Sequence, residues 1–529
     1  MKRISSCWPV LILALILCAC WSPRTVSGET RELRIADGKG DWGLPNPFHH
    51  YPRGPGYLRM SWTFDTLIWK DRSGFVPALA RQWSYDPDTL AFTFRLHPRA
   101  LWHDGREVRA ADVVFTLKYL QRHPYPWVSL DRVQKAEALD SKTVRIVLTK
   151  PYAPFLSDIG GTMPILPKHI WQDVTNPRQF RDPAAFIGSG PYCFRDFDKT
   201  QGTYLFEAFA NYYQGRPRAE RLIYVRTGKP LISLLRGQVD LANIRPEMAE
   251  PLREKGLTVI ENERGWNKKL MINHRKSPLD RKLFRQALAL AIDRQELIDK
   301  AHRGFAHPAS FGLLSIDHPM YAPKTPSYPH NPEKARTYIR RLGYSLDDTG
   351  FFTKNGRPLS LELLSSNLGA AGENAAYRDG EIIKKQLESV GIRVDLRSLE
   401  QSTADNRIKH WDFDLAVSGH GGIAGDPKIL NEMISPVYGA GSVNSARYDA
   451  NERLNRLLEE QMRSMEPEKR REIVQEIQIL YARELPAISL YYPDTLAAYR
   501  PQTGVDWFYT PGGISKGIPI PQNKMALIP

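Results

Sequence analysis

The apolar positions follow two periods that alternate along the chain. Phe92, Phe94 and Leu96, and again Val144, Ile146 and Leu148, recur at every second residue, which predicts half-buried strands. Between them, Val113, Leu117 and Leu120 share one face of a predicted helix over residues 110–120. The strongest helical period spans residues 281–303, where Phe284, Ala287, Leu288, Ala291 and Ile292 form one stripe. Asp280 is the expected cap of that helix and Gly304 its expected stop. A helix over 381–390, halted by Gly391, leads into the alternating Ile392, Val394 and Leu396. Two more helices are predicted over 451–465 and 467–484, Pro467 suiting a first turn, before a strand over 488–492. Strands and helices that alternate in this way make the class α/β.

Length and composition narrow the picture. With 529 residues the chain has room for two to four domains, and 42% hydrophobic with 25% charged residues is an ordinary globular balance. A mean hydropathy of −0.43 excludes a polytopic membrane protein. The 40 prolines and 37 glycines lie mostly between predicted elements, as in long ordered loops. The formal charge is +15, but the basic residues are dispersed and no zinc-finger, RNP or basic-zipper pattern occurs, so nucleic acid is not an expected partner.

The first twenty residues carry an address. Lys2 and Arg3 precede the apolar run Pro9 to Ala19, which is about half the ~20 residues of a membrane span and suits a secretory signal. Leu17-Cys18-Ala19-Cys20 resembles a bacterial lipobox. Cleavage there would leave residues 1–19 as signal peptide, put lipid on Cys20, and make residues 20–32 a tether to a membrane. An ordinary signal cut near Ser27-Gly28 is the alternative, and both imply export. Loss of Cys7 and Cys18 with the signal and lipidation of Cys20 leave Cys193 alone, so no internal disulfide and no thiolate metal cluster is expected.

Enzyme signatures are weak. Gly513-Ile514-Ser515-Lys516-Gly517 spells a nucleophile elbow, but no histidine follows His420 and the twelve remaining residues cannot supply the rest of a triad. Gly419-His420-Gly421-Gly422-Ile423-Ala424 spells GxGxxA, yet Asp426-Pro427 interrupts the helix a dinucleotide site needs. No HExxH and no phosphate-binding GxxxxGK occurs; His49-His50 and the pair His302 and His307 read as loop or capping residues. No cofactor and no metal is expected, although a fold can gather distant histidines in ways that no spacing reveals.

Several motifs in order then point one way. They are Phe64-Asp65-Thr66-Leu67 with Pro77-Ala78-Leu79-Ala80 and Trp83, and Trp102-His103-Asp104-Gly105 before Ala110-Ala111-Asp112-Val113. Further on come Gly188-Ser189-Gly190-Pro191-Tyr192, Asn211-Tyr212-Tyr213, Leu234-Leu235-Arg236-Gly237 with Asp240, and Arg285-Gln286-Ala287-Leu288 through Asp293-Arg294. Across roughly residues 33–500 the chain resembles the family 5 extracellular solute-binding proteins of ABC importers, the oligopeptide-, dipeptide- and nickel-binding group. The resemblance implies a two-lobed periplasmic-binding-protein type II fold with an extra subdomain inserted in the first lobe. Lobe I would comprise 33–72, 186–270 and 491–529, the inserted subdomain 73–185, and lobe II 271–490. It also implies a monomer that closes on a small solute or peptide and presents it to a membrane permease powered by a separate ATPase, with no chemistry of its own.

The candidate site departs from the dipeptide binders. Aligned on Gly425-Asp426-Pro427, the position that holds an amine-binding Asp in those proteins is Ile423, and Asn367 stands near their carboxylate-binding Arg. A short zwitterion would lack both anchors, so longer peptides, sugar-like oligomers and metal chelates stay open. The expected ligand-binding residues are His420, Gly421, Gly422, Ile423 and Asn367 from the second lobe, Phe48 and Gly54 from the loop 46–56, and Trp266 near the crossover. An exported hydrolase and a signalling receptor are the competing classes.

Overall fold

The computed structural model describes residues 32–366, 375–439 and 442–529. Two large sheets dominate it. The first has seven strands in the order Thr258–Glu261, Leu496–Tyr499, Leu241–Ile244, Glu32–Asp37, Arg221–Arg226, Thr203–Ala208, Tyr192–Asp198. The second has six, in the order Ala306–Pro308, Ala487–Pro493, Trp266–Ile272, Leu415–Gly421, Ser360–Ser366, Arg393–Leu399. The chain passes between the sheets twice, through residues 262–265 outward and 494–495 on return.

Each sheet is built from the periods seen in the sequence. In Glu32–Asp37, Leu33 and Ile35 are buried while Arg34 faces out. Trp266–Ile272 is central to its sheet and buried on both faces: Leu270 and Ile272 join one apolar cluster, Met271 another. Ser360–Ser366 and Arg393–Leu399 pair in parallel with the helix Ala375–Ser389 between them, a βαβ unit. A four-stranded antiparallel sheet (Ala80–Asp86, Ala91–Leu96, Thr143–Leu148, Val133–Ala138) is backed by the helix Ala110–Arg122 and shares one continuous core with the seven-stranded sheet. Gly105 has φ of +86° at the turn before that helix, which explains a glycine there.

One predicted helix is two. The stripe over 281–303 divides into Lys282–Ala291 and Arg294–His302. Asp293 starts the second by accepting hydrogen bonds from the backbone N–H groups of Gln295 and Glu296, at 2.9 and 3.2 Å. Arg281, not Asp280, is the first cap position. The helix over 381–390 begins earlier, at Ala375, whereas Pro467–Glu484 falls on its predicted bounds. Among the described residues no helix is long and apolar enough to cross a membrane.

Candidate functional site

The two bodies meet along a seam at the ends of the strands Trp266–Ile272 and Leu415–Gly421. These strands pair antiparallel, Asn267 opposite His420 and Lys269 opposite Ser418, and Lys269 also faces Ser489 on the other side. Side chains at paired positions share a face. Asn267, Lys269, Ser418, His420 and Ser489 therefore form a polar patch on the sheet face whose deeper part is apolar Met271, Ala416 and Ala487.

That patch is short of partners. Both side-chain polar atoms of Asn267, the His420 Nδ1 and the Ser489 Oγ are buried without a hydrogen-bond partner. Buried polar atoms are satisfied in the great majority of cases, so four orphans on one face set this patch apart as the candidate site. Lys269 donates to the Asn444 carbonyl, and no carboxylate lies within salt-bridge range of it among the described residues. Burial pushes its ammonium down to about 7. Burial, then the charges of Lys269 and of Arg53 from the first lobe, lower His420 to about 3, so its imidazole is neutral at physiological pH. The local field is positive.

On the opposite face, Trp266 lies over Gly419 and Gly421: a Cβ at Gly419 would meet the indole Nε1 at 2.6 Å, and one at Gly421 would meet the ring at 3.0 Å. Only bare backbone lets the ring lie this close. The same face carries a buried polar chain in which Lys268 stands 3.8 Å from Asp379 and Tyr491 donates to that carboxylate. Burial first, against the Lys268 charge, raises Asp379 to about 6.

Across the seam, a Cβ at Gly422 (φ +85°) would lie 3.0 Å from the Lys516 carbonyl oxygen, and one at Gly425 would lie 2.9 Å from the Gly517 Cα. Lys428 reaches over to Asp158 at 2.7 Å, with Lys516 at 3.7 Å from the same carboxylate. The Ala153 N–H donates to the Met462 carbonyl at 2.9 Å across the seam, and the Gly512 N–H to Glu263 of the crossing segment at 2.9 Å.

The predicted residues separate on this geometry. His420 sits on the patch, Gly421 and Trp266 on the opposite face of the sheet, and Gly422 on the seam. Ile423 is fully buried with Leu313, Leu314 and Leu430 in an apolar cluster. Phe48 departs from expectation: its ring lies 5.5 Å from Trp171 and 6.1 Å from Tyr119, packing on the first-lobe core because the loop turns inward there. Gly54 opens the helix Gly54–Thr63 and lies against Ile518 rather than open space. Asn367 and Cys20 lie outside the described residues. Asn267, Lys269, Ser489 and Arg53 carry almost no local signal; the one in the sequence is the polar triplet Asn267-Lys268-Lys269 inside an otherwise strand-like run.

Residues of the weak motifs have structural work. Ser515 has φ of +49° and hydrogen-bonds Thr162 at 2.7 Å, and no helix follows directly on it as an elbow requires. Gly419-His420-Gly421 is itself strand, not the turn of a dinucleotide site. Asp426 is held by the Arg470 guanidinium at 2.6 and 3.0 Å, and although burial opposes it, this pairing keeps its carboxyl below the usual range.

The model of the bacterial extracellular solute-binding proteins, family 5, matches residues 74–441. Di/tripeptide-binding protein 2 of Pseudomonas aeruginosa is 25% identical over 459 residues, covering 80% of this chain and 82% of its own length. The crystal structure of NikZ from Campylobacter jejuni with Ni(L-His) superposes with a TM-score of 0.76 at 20% identity over 92% of this chain and 98% of its own. AppA from Bacillus subtilis with a nonapeptide gives 0.71 at 21% identity over 89% and 94%. The fold is thus the two-lobed periplasmic binding fold, and the chain belongs to the family 5 bacterial extracellular solute-binding proteins, the solute receptors of ABC importers.

Proposed function

We propose that this receptor is an exported, lipid-anchored monomer that captures a peptide between its lobes and delivers it to a membrane permease, without catalysing a reaction. Residues 73–185 are a subdomain of the first lobe in this reading, and the lobes divide at the crossings 262–265 and 494–495 rather than at 270 and 490, because the strands Trp266–Ile272 and Ala487–Pro493 both belong to the six-stranded sheet. One observation carries the ligand assignment: the orphaned polar atoms of Asn267, His420 and Ser489 share a buried face at the seam with a lysine that has no carboxylate partner among the described residues. Peptide N–H and C=O groups fit the orphans, and an acidic group on the ligand fits the positive field that Lys269 and Arg53 set up around the neutral His420. A buried Ile423 offers nothing to an ammonium, which argues against a receptor that clamps a short zwitterion at both ends.

A second reading, a metal-chelate receptor, is favoured by the His420 Nδ1, which is neutral and unpartnered as a metal ligand must be. The adjacent lysine opposes a bare cation, so this reading requires a chelate that brings its own anionic ligands. Native mass spectrometry of the mature protein with Cys20→Ser, taken directly from expression, separates the two. A mixture of peptide masses supports the first reading; a single small mass with metal replaces it by the second.

A further inference from the structure

Away from the seam's ligand face, three side chains converge where the chain crosses between the sheets. Glu261 is the last residue of its strand in the seven-stranded sheet, and Asp494 follows directly on the strand Ala487–Pro493 of the six-stranded one. His307 lies on the edge strand Ala306–Pro308, opposite Tyr492. One oxygen or nitrogen from each of the three lies within 4.8 Å of the other two. His307 Nε2 stands 3.2 Å from Asp494 Oδ1, and the edge of a tetrahedron around zinc with bonds near 2.0–2.1 Å is about 3.3 Å. Glu261 has no cation in salt-bridge range among the described residues, and the nearby Arg264 is held 2.6 Å from Asp317.

We infer that Glu261, His307 and Asp494 form a binding site for a borderline divalent cation of the zinc type at the pivot between the lobes. One imidazole nitrogen and two carboxylate oxygens are the donor set such an ion takes, and three protein ligands leave a position for water. Glu261 and His307 are not sealed from solvent, so the ion has an entry path. The two crossing segments are already joined by the Asn262 N–H donating to the Thr495 carbonyl at 3.0 Å. An ion shared by Glu261 and Asp494 adds a second tie at the same level and stiffens the hinge. Distances in sequence of 46 and 187 positions between His307 and its partners hide the set from any spacing motif.

The test is zinc stoichiometry after dialysis of the mature protein against zinc ion alone, read by elemental mass spectrometry. One ion per chain is expected, with affinity reduced about tenfold or more in both His307→Ala and Glu261→Gln. His420→Ala is expected to keep the ion, since that residue lies on the ligand face. Retention of zinc by both hinge variants, loss of it in His420→Ala, or no binding by the unaltered protein overturns the site. Glu261 is exposed, so Glu261→Gln carries the test even if His307→Ala folds poorly.

Discussion

The carboxylate of Asp65 accepts a hydrogen bond from the ammonium of Lys524, and both side chains are sealed from solvent. The Tyr212 and Tyr213 hydroxyls donate to the same carboxylate at 3.0 and 2.7 Å. Two motifs of the first lobe and the C-terminal segment thus converge on one buried charge, and the Lys524 ammonium lies 4.0 Å over the Trp69 ring. Lys524→Met leaves that charge uncompensated and is expected to cost about 3–5 kcal/mol. The double variant Asp65→Leu, Lys524→Met should recover most of it. Denaturant unfolding of the three proteins measures both numbers.

This cluster shows what was legible in the chain and what was not. Asp65 and the Tyr212-Tyr213 pair stand out as motif residues, and strand periods such as Ala91–Leu96 and Thr143–Leu148 are local properties that survive folding. Lys524 carries no local signal, because its role depends on a contact 459 positions away. The break at Asp293 carries no signal in the apolar period, because Ile298 stays in phase with Phe284, and one capping residue does not interrupt that stripe. At the proposed ligand face, His420 is reachable through the glycine-rich segment, whereas Asn267 and Ser489 matter only through the strands they face.

Lys269→Met is expected to weaken ligand binding about tenfold or more, as loss of a charge-assisted contact would. The same change should stabilise the ligand-free protein. The folded-state value near 7 lies below the ordinary lysine value of 10.5, so between those limits the unfolded chain binds the extra proton. Stability of the unaltered protein accordingly falls as pH drops from about 10 toward 7, and the variant should lose that slope. Calorimetric titration with the released ligand and melting between pH 7 and 10 check the two halves.

Ile423→Asp would introduce an amine anchor by alignment, but the position is fully buried with Leu313, Leu314 and Leu430. The expected outcome is a loss of several kcal/mol of stability and no gain in dipeptide affinity. Unfolding and dipeptide titration of this variant should both be run, since a gain in affinity with unchanged stability would mean that the position turns toward the cleft.

Asp158→Asn removes the partner that Lys428 reaches across the seam and that Lys516 shares from the first lobe's own side. Because Lys428 is itself largely buried, the closed form should lose about 1–3 kcal/mol and ligand affinity should fall in proportion. Small-angle scattering of the ligand-bound protein should show a larger radius of gyration than for the unaltered chain.

Gly422→Ala places a methyl group 3.0 Å from the Lys516 carbonyl oxygen at a φ of +85° that disfavours any side chain. With about 1–2 kcal/mol of strain, affinity should drop roughly 5- to 30-fold. Gly256→Ala, also at positive φ but with open space around it, is the control and should leave binding unchanged.

Where Gly422 and Gly425 meet Gly517, the lobes touch through main chain alone. A contact of that kind freezes no side-chain rotamers when it forms and releases none when it parts. At this point the seam supplies fit with little adhesion: the glycine joint is shaped to close yet gains little by staying shut. Besides the cargo, residence in the closed form then rests on side-chain ties elsewhere along the seam, Lys428 to Asp158 foremost.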